Sequence, residues 1–235
     1  AHAWQARGVD VMVVRREERA GFKAGALANG LRRARGEVVA VFDADFLPGP
    51  DFLERTIPRL APGVAVVQTR WGHLNGERSG LTRAQVLALD GHFLVEQPTR
   101  SRLGLFLNFN GTGGVWRREA IDAAGGWQGD TLSEDVDLSY RAQLAGWRIV
   151  FLEDVVVPGE IPTTVLAFKR QQRRWAMGTT QVLRKLGGAV LRSDRPLYVR
   201  LHAVLTLATH LAQPISLTLF LLAPLVLAYH PRFNA

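Results

Sequence analysis

The most restrictive feature of the sequence is an apolar stretch at 201–229 that contains no Asp, Glu, Lys or Arg. A helix of this length can cross the roughly 30 Å hydrocarbon core of a bilayer. Pro214 and Pro224 lie within the stretch and are expected to kink the helix. We therefore predict a transmembrane helix over 201–230, and a buried core helix is the alternative.

A basic segment directly precedes this stretch. The formal net charge is +8, and residues 169–200 contain nine Lys or Arg but only one acidic residue, Asp194. Such a flank marks the cytoplasmic side of a membrane helix. We therefore expect an integral protein of the plasma or inner membrane, with residues 1–200 on the cytoplasmic side. Because the basic residues cluster beside the predicted span, we predict no nucleic-acid partner.

Short β-branched runs alternate with helical patterns along the rest of the chain. This alternation predicts an α/β fold in which helices flank a mostly parallel sheet. The region 161–200 is predicted to form a basic helix on the membrane surface, because its apolar residues fall on one side. The predicted strands cover 9–14, 37–42, 64–69, 115–117 (a strand or turn) and 147–152. The predicted helices cover 25–34, 52–60, 80–97, 132–145 and 163–186.

Two carboxylates, Asp43 and Asp45, follow the predicted strand 37–42. In open α/β sheets, ligands bind at the carboxyl ends of the strands. Paired carboxylates there suit a hard cation such as Mg²⁺ or Mn²⁺, which then bridges a diphosphate. A solvated turn is the alternative. The chain contains no Cys, which excludes thiolate metal sites and a Cys nucleophile.

A second acidic group, Ser133-Glu134-Asp135, opens the predicted helix 132–145. A carboxylate at this point is able to act as a general base toward a hydroxyl group. The alternative is a capping box between Thr131 and Glu134, which explains Glu134 but leaves Asp135 unexplained.

The basic helix carries Gln171, Arg174 and Trp175. Gln171 and Arg174 share a helix face, and Arg binds phosphate or sugar oxygens bidentately. Trp175 offers a flat apolar surface for a sugar ring. The alternative is an interfacial helix in which Arg faces lipid phosphates and Trp lies in the aromatic belt.

Two further segments are candidates for ligand contact. Lys23 opens the predicted helix 25–34 and suits a nucleotide phosphate, with an ordinary helix start as the alternative. The loop that begins with Phe109, Asn110 and Gly111 is Gly-rich, so its backbone can approach a ligand closely. A plain tight loop is equally consistent with that pattern.

In order and spacing, these motifs resemble those of the inverting family 2 glycosyltransferases of the cellulose-synthase-like group, with Ser133 where that group has Thr. The resemblance covers residues 9 to about 186. Longer stretches look closest to glucomannan and mannan synthases and related β-glucan synthases; they lie at 19–27, 67–71, 109–117 and 124–127.

This resemblance implies a partial GT-A catalytic domain over 1–160, on the cytoplasmic side of the membrane. It implies transfer of a hexose from GDP-mannose or UDP-glucose, with inversion and a divalent metal, onto a growing β-linked glycan acceptor. The family's first Asp and first strands lie upstream of residue 1, so we expect the chain to be a fragment. Transfer of one sugar to a lipid carrier and a non-catalytic binding module are the alternatives.

The resemblance also implies roles for individual residues. Asp135 would be the general base, with Glu134 beside it. The donor diphosphate would be held by Lys23, Asp43, Asp45, Gln171 and Arg174, of which Asp43 and Asp45 would bind the metal. The acceptor would contact Trp175, Phe109, Asn110 and Gly111.

Overall fold

A computed structural model of the chain describes residues 2–229. The helices are α1 (His2–Gln5), α2 (Phe22–Leu31), α3 (Phe52–Thr56), α4 (Gly80–Asp90), α5 (Gln97–Arg102), α6 (Arg118–Ala123), α7 (Glu134–Leu144), α8 (Val165–Arg192), α9 (Leu197–Leu207) and α10 (Ala212–Tyr229). The strands are β1 (Val38–Val41), β2 (Val64–His73), β3 (Gly114–Arg117) and β4 (Arg148–Gly159). A π-helical segment, Gly91–Glu96, joins α4 to α5.

The four strands form one sheet in the order β1-β3-β2-β4. The β1–β3 and β2–β3 pairings are antiparallel, and only β2–β4 is parallel. The sheet is therefore mixed, and the prediction of a mostly parallel sheet is wrong. The reason is that β3 returns from the helical excursion α4–α5 and inserts, reversed, between β1 and β2.

The reversal of β3 decides where loops meet. Because β1, β2 and β4 point the same way, their carboxyl ends lie at one edge of the sheet, together with the amino end of β3. The segments that follow or precede these ends are 42–46, 74–79, 108–113 and 160–164. They bring together the polar residues that the sequence separates.

The predicted strand 9–14 is not formed, and the segment is irregular. Val9, Met12 and Val13 are all exposed, and the segment pairs with no strand among residues 2–229. A β-branched run becomes a strand only where a sheet edge offers it partners and a buried face.

Two apolar clusters hold the helices in place. One lies between the sheet and its helices and contains fully buried Trp116, Ile121 and Leu138. The other joins α7, α8 and α9 through residues such as Tyr140 and Val182. Burial of each such side chain is worth roughly 1.5–3 kcal/mol, so α8 and α9 are firmly packed on α7.

The apolar stretch is not one helix. It is broken after α9, and α10 begins at Ala212. Pro214 explains the break, because its ring would clash with the carbonyl of His210 in a continuous helix, whereas the first turn of a new helix tolerates it. Among residues 2–229, no single helix is long and apolar enough to cross a membrane. The pair Leu197–Leu207 and Thr209–Pro224, bent by 54°, meets that test by length and composition.

This result corrects the prediction of a single transmembrane helix over 201–230, of which residue 230 lies outside the described residues. The alternative of a buried core helix holds only for α9, whose Val199, Ala203 and Leu207 are buried. In α10, by contrast, Ile215 and Phe220 are 57% and 74% exposed.

Candidate active site

A cavity of about 610 Å³ opens at the edge where the three parallel-pointing strands end. It is lined by all but one of the residues predicted to carry function: Lys23, Asp43, Asp45, Asn110, Gly111, Glu134, Asp135, Gln171, Arg174 and Trp175. These residues come from five separate segments of the chain. The structure therefore brings the predicted motifs to one place, and the role of each residue stays a prediction.

Lys23 lies in the first turn of α2 and points into this cavity. Its Nζ is 2.5 Å from Asp43 Oδ1 and donates to the carbonyl oxygen of Gly111 at 2.8 Å. The backbone N–H of Asp43 donates to Thr112 Oγ1 at 2.9 Å. These bonds hold the loop after β1 against the loop before β3 and place one positive charge between them.

Gly111 separates Lys23 from Asp135. Its φ is +85°, a left-handed conformation that L side chains rarely adopt. A Cβ atom at Gly111 would lie 2.9 Å from Asp135 Oδ2 and 3.5 Å from Lys23 Nζ. Only glycine allows the carboxylate, the ammonium group and this loop to lie so close together.

Asp135 lies in the first turn of α7, where a helix dipole favours negative charge. Burial and, to a smaller extent, the neighbouring charge of Glu134 nevertheless raise the pKa of its carboxyl group from 3.8 to about 7. Lys23 and the N–H of Val136, which donates to Asp135 Oδ1 at 2.8 Å, oppose the rise. A pKa near 7 suits a group that must accept a proton at neutral pH.

The capping-box alternative for this segment is not observed. Ser133 is the N-cap residue of α7, and no side chain forms a hydrogen bond to the cap. The hydroxyl of Thr131 has no hydrogen-bond partner within the described residues. Capping therefore does not account for the acidic residues at the start of α7.

Helix α8 supplies Gln171, Arg174 and Trp175 to the lining of the cavity. Gln171 and Trp175 are one turn apart and half-buried, whereas Arg174 is exposed to solvent. The same cavity is therefore lined by a guanidinium group and an indole ring from α8 and by the ion pair of Lys23 and Asp43.

Phe109 is the exception among the predicted residues. Its side chain is 1% exposed and packs edge-to-face on Trp116, with ring centroids 5.5 Å apart. Its N–H donates to Ser139 Oγ at 2.8 Å, so Phe109 braces the loop and does not face the cavity. Asn110 does face it, held by a bond from its N–H to Gln68 Oε1, and its Nδ2 is left without a hydrogen-bond partner in the described part of the chain.

A second cavity of about 440 Å³ continues from the first beneath α4 and α8. The two share Asn110, Asp135, Gln171 and Trp175, among others. The far end of the second cavity is lined by residues of α9 and of the bend after it, including Thr206 and His210. The site is therefore a passage that runs from the strand ends to the bent apolar helices.

Some lining residues carried no prediction from the sequence. Arg19, His73 and Glu160 line the first cavity, and Trp71 lines both. His73 and Glu160 lie at the carboxyl ends of the neighbouring strands β2 and β4. Ligands bind at these ends in open α/β sheets, so both residues are candidates for ligand contact, as Asp43 is. The sequence analysis missed both residues because it predicted that these strands end at 69 and 152, whereas they end at His73 and Gly159.

The acidic residues of the cavity can supply only some of the ligands that a divalent cation requires. Residues 2–229 contain no group of three or more His, Cys, Asp or Glu side chains placed to hold a metal ion. Asp43 and Asp45 supply two carboxylates at the cavity wall. This set fits Mg²⁺ or Mn²⁺ bound by one or two carboxylates together with the phosphates of a ligand, and it does not fit a self-contained protein site.

Comparison with known proteins agrees with the geometry. A family model described as "Glycosyl transferase family group 2" matches residues 38–231. Glucomannan 4-beta-mannosyltransferase 2 of Arabidopsis thaliana is 45% identical over 197 residues, which are 82% of this chain and 37% of that protein. Glucomannan 4-beta-mannosyltransferase 1 of Oryza sativa subsp. japonica is 44% identical over 86% of this chain and 40% of its own length. The chain thus spans less than half the length of these curated relatives.

Solved structures confirm the fold. The mannosyltransferase PcManGT from Pyrobaculum calidifontis, solved in complex with GDP-Man and Mn²⁺, superposes with a TM-score of 0.63 at 22% sequence identity, covering 99% of this chain and 67% of that one. S. aureus TarS gives a TM-score of 0.58 at 13% identity, over 89% of this chain and 35% of its own. The architecture is GT-A-like, as the resemblance implied. With its family model matched along most of its length, the chain belongs to glycosyl transferase family group 2.

Proposed function

We propose that this chain is the catalytic part of a membrane-bound enzyme that transfers a hexose from a nucleotide-sugar donor to a β-linked glycan, with inversion. The observation that carries the proposal is the convergence of Lys23, Asp43, Asp45 and Asp135 with Gln171, Arg174 and Trp175 on one cavity.

Asp135 is the general base of the proposed reaction. Its carboxylate takes the proton from an acceptor hydroxyl as that oxygen attacks the anomeric carbon of the donor sugar. The bond from this carbon to the diphosphate breaks, and the nucleoside diphosphate leaves with the electron pair. Because attack and departure occur on opposite faces of the sugar, the configuration is inverted. Glu134 supports this role by helping to keep the pKa of Asp135 near 7.

Charge on the departing diphosphate is balanced from two sides of the cavity. Lys23 approaches from α2 and Arg174 from α8, and both donate hydrogen bonds to phosphate oxygens in the proposed complex. A divalent cation held by Asp43, Asp45 and the diphosphate would supply further electrostatic stabilisation of the leaving group. Asp43, now paired with Lys23, would exchange that partner for the cation.

The acceptor glycan occupies the second cavity in this proposal. Trp175 and Asn110 line both cavities, so they mark the boundary between the donor and acceptor sides. A sugar ring stacked on Trp175 would present its hydroxyl to Asp135 at that boundary. The free Nδ2 of Asn110 is placed to donate a hydrogen bond to the acceptor.

The membrane side of the proposal is supported by α10. Its side chains over 212–224 are exposed all round, with Leu219, Phe220 and Leu221 each more than 60% exposed. A helix that is apolar on every side is stable when lipid or other apolar groups surround it. The relatives named above support mannose as the transferred sugar, and GDP-mannose as the donor.

The proposal is tested by transfer assays on the full-length protein in membranes, with radiolabelled GDP-mannose or UDP-glucose and with or without Mn²⁺. We expect mannose to enter an ethanol-insoluble polymer with Mn²⁺, and Asp135→Asn to reduce incorporation at least a hundredfold. If neither sugar is transferred by the wild-type protein, or if Asp135→Asn transfers at the wild-type rate, the proposal is wrong.

A lipid-linked acceptor is the second candidate, because the acceptor cavity ends at Thr206, Thr209 and His210 beside the bent apolar helices. The same assay distinguishes the two functions. Label that partitions into organic solvent as a single-sugar product indicates a lipid carrier, whereas label that stays with polymer indicates a glycan synthase.

A further inference from the structure

We infer that Gly178, Gln181 and Lys185 of α8 are positioning residues, which dock the acidic segment 128–135 on the same helix face that carries Gln171, Arg174 and Trp175. The inference rests on the proposed function, because it concerns how the general base and the donor- and acceptor-binding helix are held in register.

Gly178 provides the closest contact. A Cβ atom at this position would lie 2.0 Å from Ser133 Oγ and 2.8 Å from both Ser133 Cβ and Ser133 N. Both residues are buried. Backbone and side chain of Ser133 thus lie directly on the helix surface, two residues before the proposed base. Any larger residue at 178 must push this segment away from α8.

Gln181, one turn further along α8, makes a directed bond to the same segment. Its Oε1 accepts a hydrogen bond from the backbone N–H of Leu132 at 2.8 Å. This N–H precedes the first turn of α7 and belongs to an irregular stretch. The Gln181 side chain therefore fixes the position of the acidic segment along the axis of α8.

Lys185 adds a third, charged contact. Its Nζ donates to Gln128 Oε1 at 2.7 Å and to Asp130 Oδ1 at 2.8 Å. It also forms an ion pair with Asp137 Oδ1 at 2.9 Å. Asp137 is fully buried in α7 and is paired on its other oxygen with Arg141. Lys185 is thus tied both to α7 and to the loop before it.

The three contacts form one continuous stripe with the proposed binding residues. At 100° per residue, positions 171, 174, 175, 178, 181 and 185 fall within roughly a third of the helix circumference. The amino-terminal part of this stripe lines the cavity, and the carboxyl-terminal part holds the segment that ends in Glu134 and Asp135. A shift of α8 would therefore change the distance between the proposed base and both substrates.

The test uses the full-length protein in nanodiscs and compares variants that keep or remove a contact. Gln181→Leu removes the side-chain oxygen that accepts the hydrogen bond from Leu132 N–H. Gln181→Glu keeps such an oxygen and serves as the matched control. We expect kcat at saturating GDP-mannose and Mn²⁺ to fall about tenfold in Gln181→Leu and to stay within about threefold in Gln181→Glu. Gly178→Ala should lower kcat by about 10- to 100-fold, since a displacement near 1 Å has that effect.

Two further readouts separate positioning from general destabilisation. The Kd of GDP-mannose with Mn²⁺, measured by calorimetry, should change less than about threefold in Gln181→Leu, because the lost bond holds Leu132 and involves none of the proposed donor-binding residues, including Arg174 on α8 itself. Hydrogen exchange should accelerate in peptides covering 128–135 and remain unchanged in peptides covering β2. Lys185→Met and Lys185→Arg form a second pair, with recovery of kcat expected in the arginine variant.

Wild-type kcat and wild-type exchange at 128–135 in Gln181→Leu and Gly178→Ala would overturn the inference, as would equal losses in Gln181→Leu and Gln181→Glu. A failure of the proposed function has a different signature: the wild-type protein itself transfers no sugar. In that case, the exchange measurement alone still decides whether the stripe docks the segment.

Discussion

Asp135 and Asp43 face the same cavity in opposite electrostatic settings. Asp43 forms an ion pair with Lys23 at 2.5 Å. The carboxyl group of Asp135, by contrast, is desolvated by burial and lies beside the like charge of Glu134. A carboxylate that already pairs with a cationic side chain is suited to bind a metal cation in its place. A carboxylate whose pKa is raised to about 7 is ready to gain and lose a proton.

The raised pKa makes a prediction about stability. Between pH 3.8 and about 7 the folded state binds more protons at Asp135 than the unfolded state does, so this group makes stability fall as pH rises through that window. Asp135→Asn should therefore raise the free energy of unfolding at pH 8, by on the order of 2 kcal/mol, and have little effect below pH 4. Thermal unfolding in detergent without divalent cations measures this. A destabilised Asp135→Asn at pH 8 would contradict the assignment.

Glu134 should tune its neighbour. Because the negative charge of Glu134 raises the pKa of Asp135, Glu134→Gln should lower that pKa. The acidic limb of the pH profile of kcat/KM, which reports the free enzyme, should then move down by about one pH unit. Glu119→Gln, on the exposed surface of α6, is the control and should leave the limb in place. An unmoved limb in Glu134→Gln would show that Asp135 is not the group that titrates.

Some elements were predictable because their signals are local. The loop after β1 places Asp43 and Asp45 at the end of a half-buried strand, and α7 begins at Glu134, two residues from the predicted start. The candidate site followed from these boundaries, since the fold family brings such ends together. Phe109 was misplaced because its neighbours in sequence face the cavity while its own ring packs on Trp116.

Other elements depend on contacts that are distant in the sequence. The direction of β3 is set by its pairing with β1 and β2. The local sequence pattern of β3 does not indicate that direction. A π-helical segment occupies Gly91–Glu96, where a regular helix was predicted, and it contains the pair His92 Nδ1 and Glu96 Oε2, 2.8 Å apart. Burial alone would raise the pKa of Glu96, but His92 and Arg100 outweigh it and lower that pKa to about 2. Such a segment arises from packing, not from propensity.

The packing of α7 against α9 gives an element-scale prediction. The buried hydroxyl of Tyr140 donates to the carbonyl oxygen of Ala203 at 3.0 Å. Tyr140→Phe should lower the free energy of unfolding by about 1 kcal/mol, the net worth of one buried hydrogen bond. Tyr198→Phe is the matched control, because Tyr198 is 61% exposed and should give no change. Equal melting temperatures for wild type and Tyr140→Phe would show that this bond does not hold α9 in place.

On the scale of the whole molecule, the two adjoining cavities extend from the strand ends to the bend after α9. We propose that the donor binds near the strand ends and that the acceptor binds toward the bend. In the proposed complex the donor lies among charged residues, and the acceptor lies toward the apolar helices. Helix α10 follows that bend in the chain, and its apolar side chains, exposed over 212–224, suit the interior of a bilayer.

Membrane attachment through α10 is testable by flotation with liposomes. Phe220→Asp together with Leu221→Asp should reduce co-flotation of the protein at least fivefold, because each charge is costly in hydrocarbon. Leu53→Asp, at an exposed apolar position in α3, should leave flotation unchanged. Equal flotation of the α10 variant and the wild type would show that α10 does not insert.

The central claim is that donor binding and proton removal belong to different carboxylates of one cavity. The most direct test measures GDP-mannose affinity in the presence of Mn²⁺ alongside the transfer rate, in Asp45→Asn and Asp135→Asn of the full-length protein. We predict donor affinity at least tenfold weaker in Asp45→Asn, and donor affinity within about threefold of wild type in Asp135→Asn together with transfer below about 1% of the wild-type rate. Near-wild-type transfer by Asp135→Asn, or the same loss of donor affinity in both variants, would contradict it.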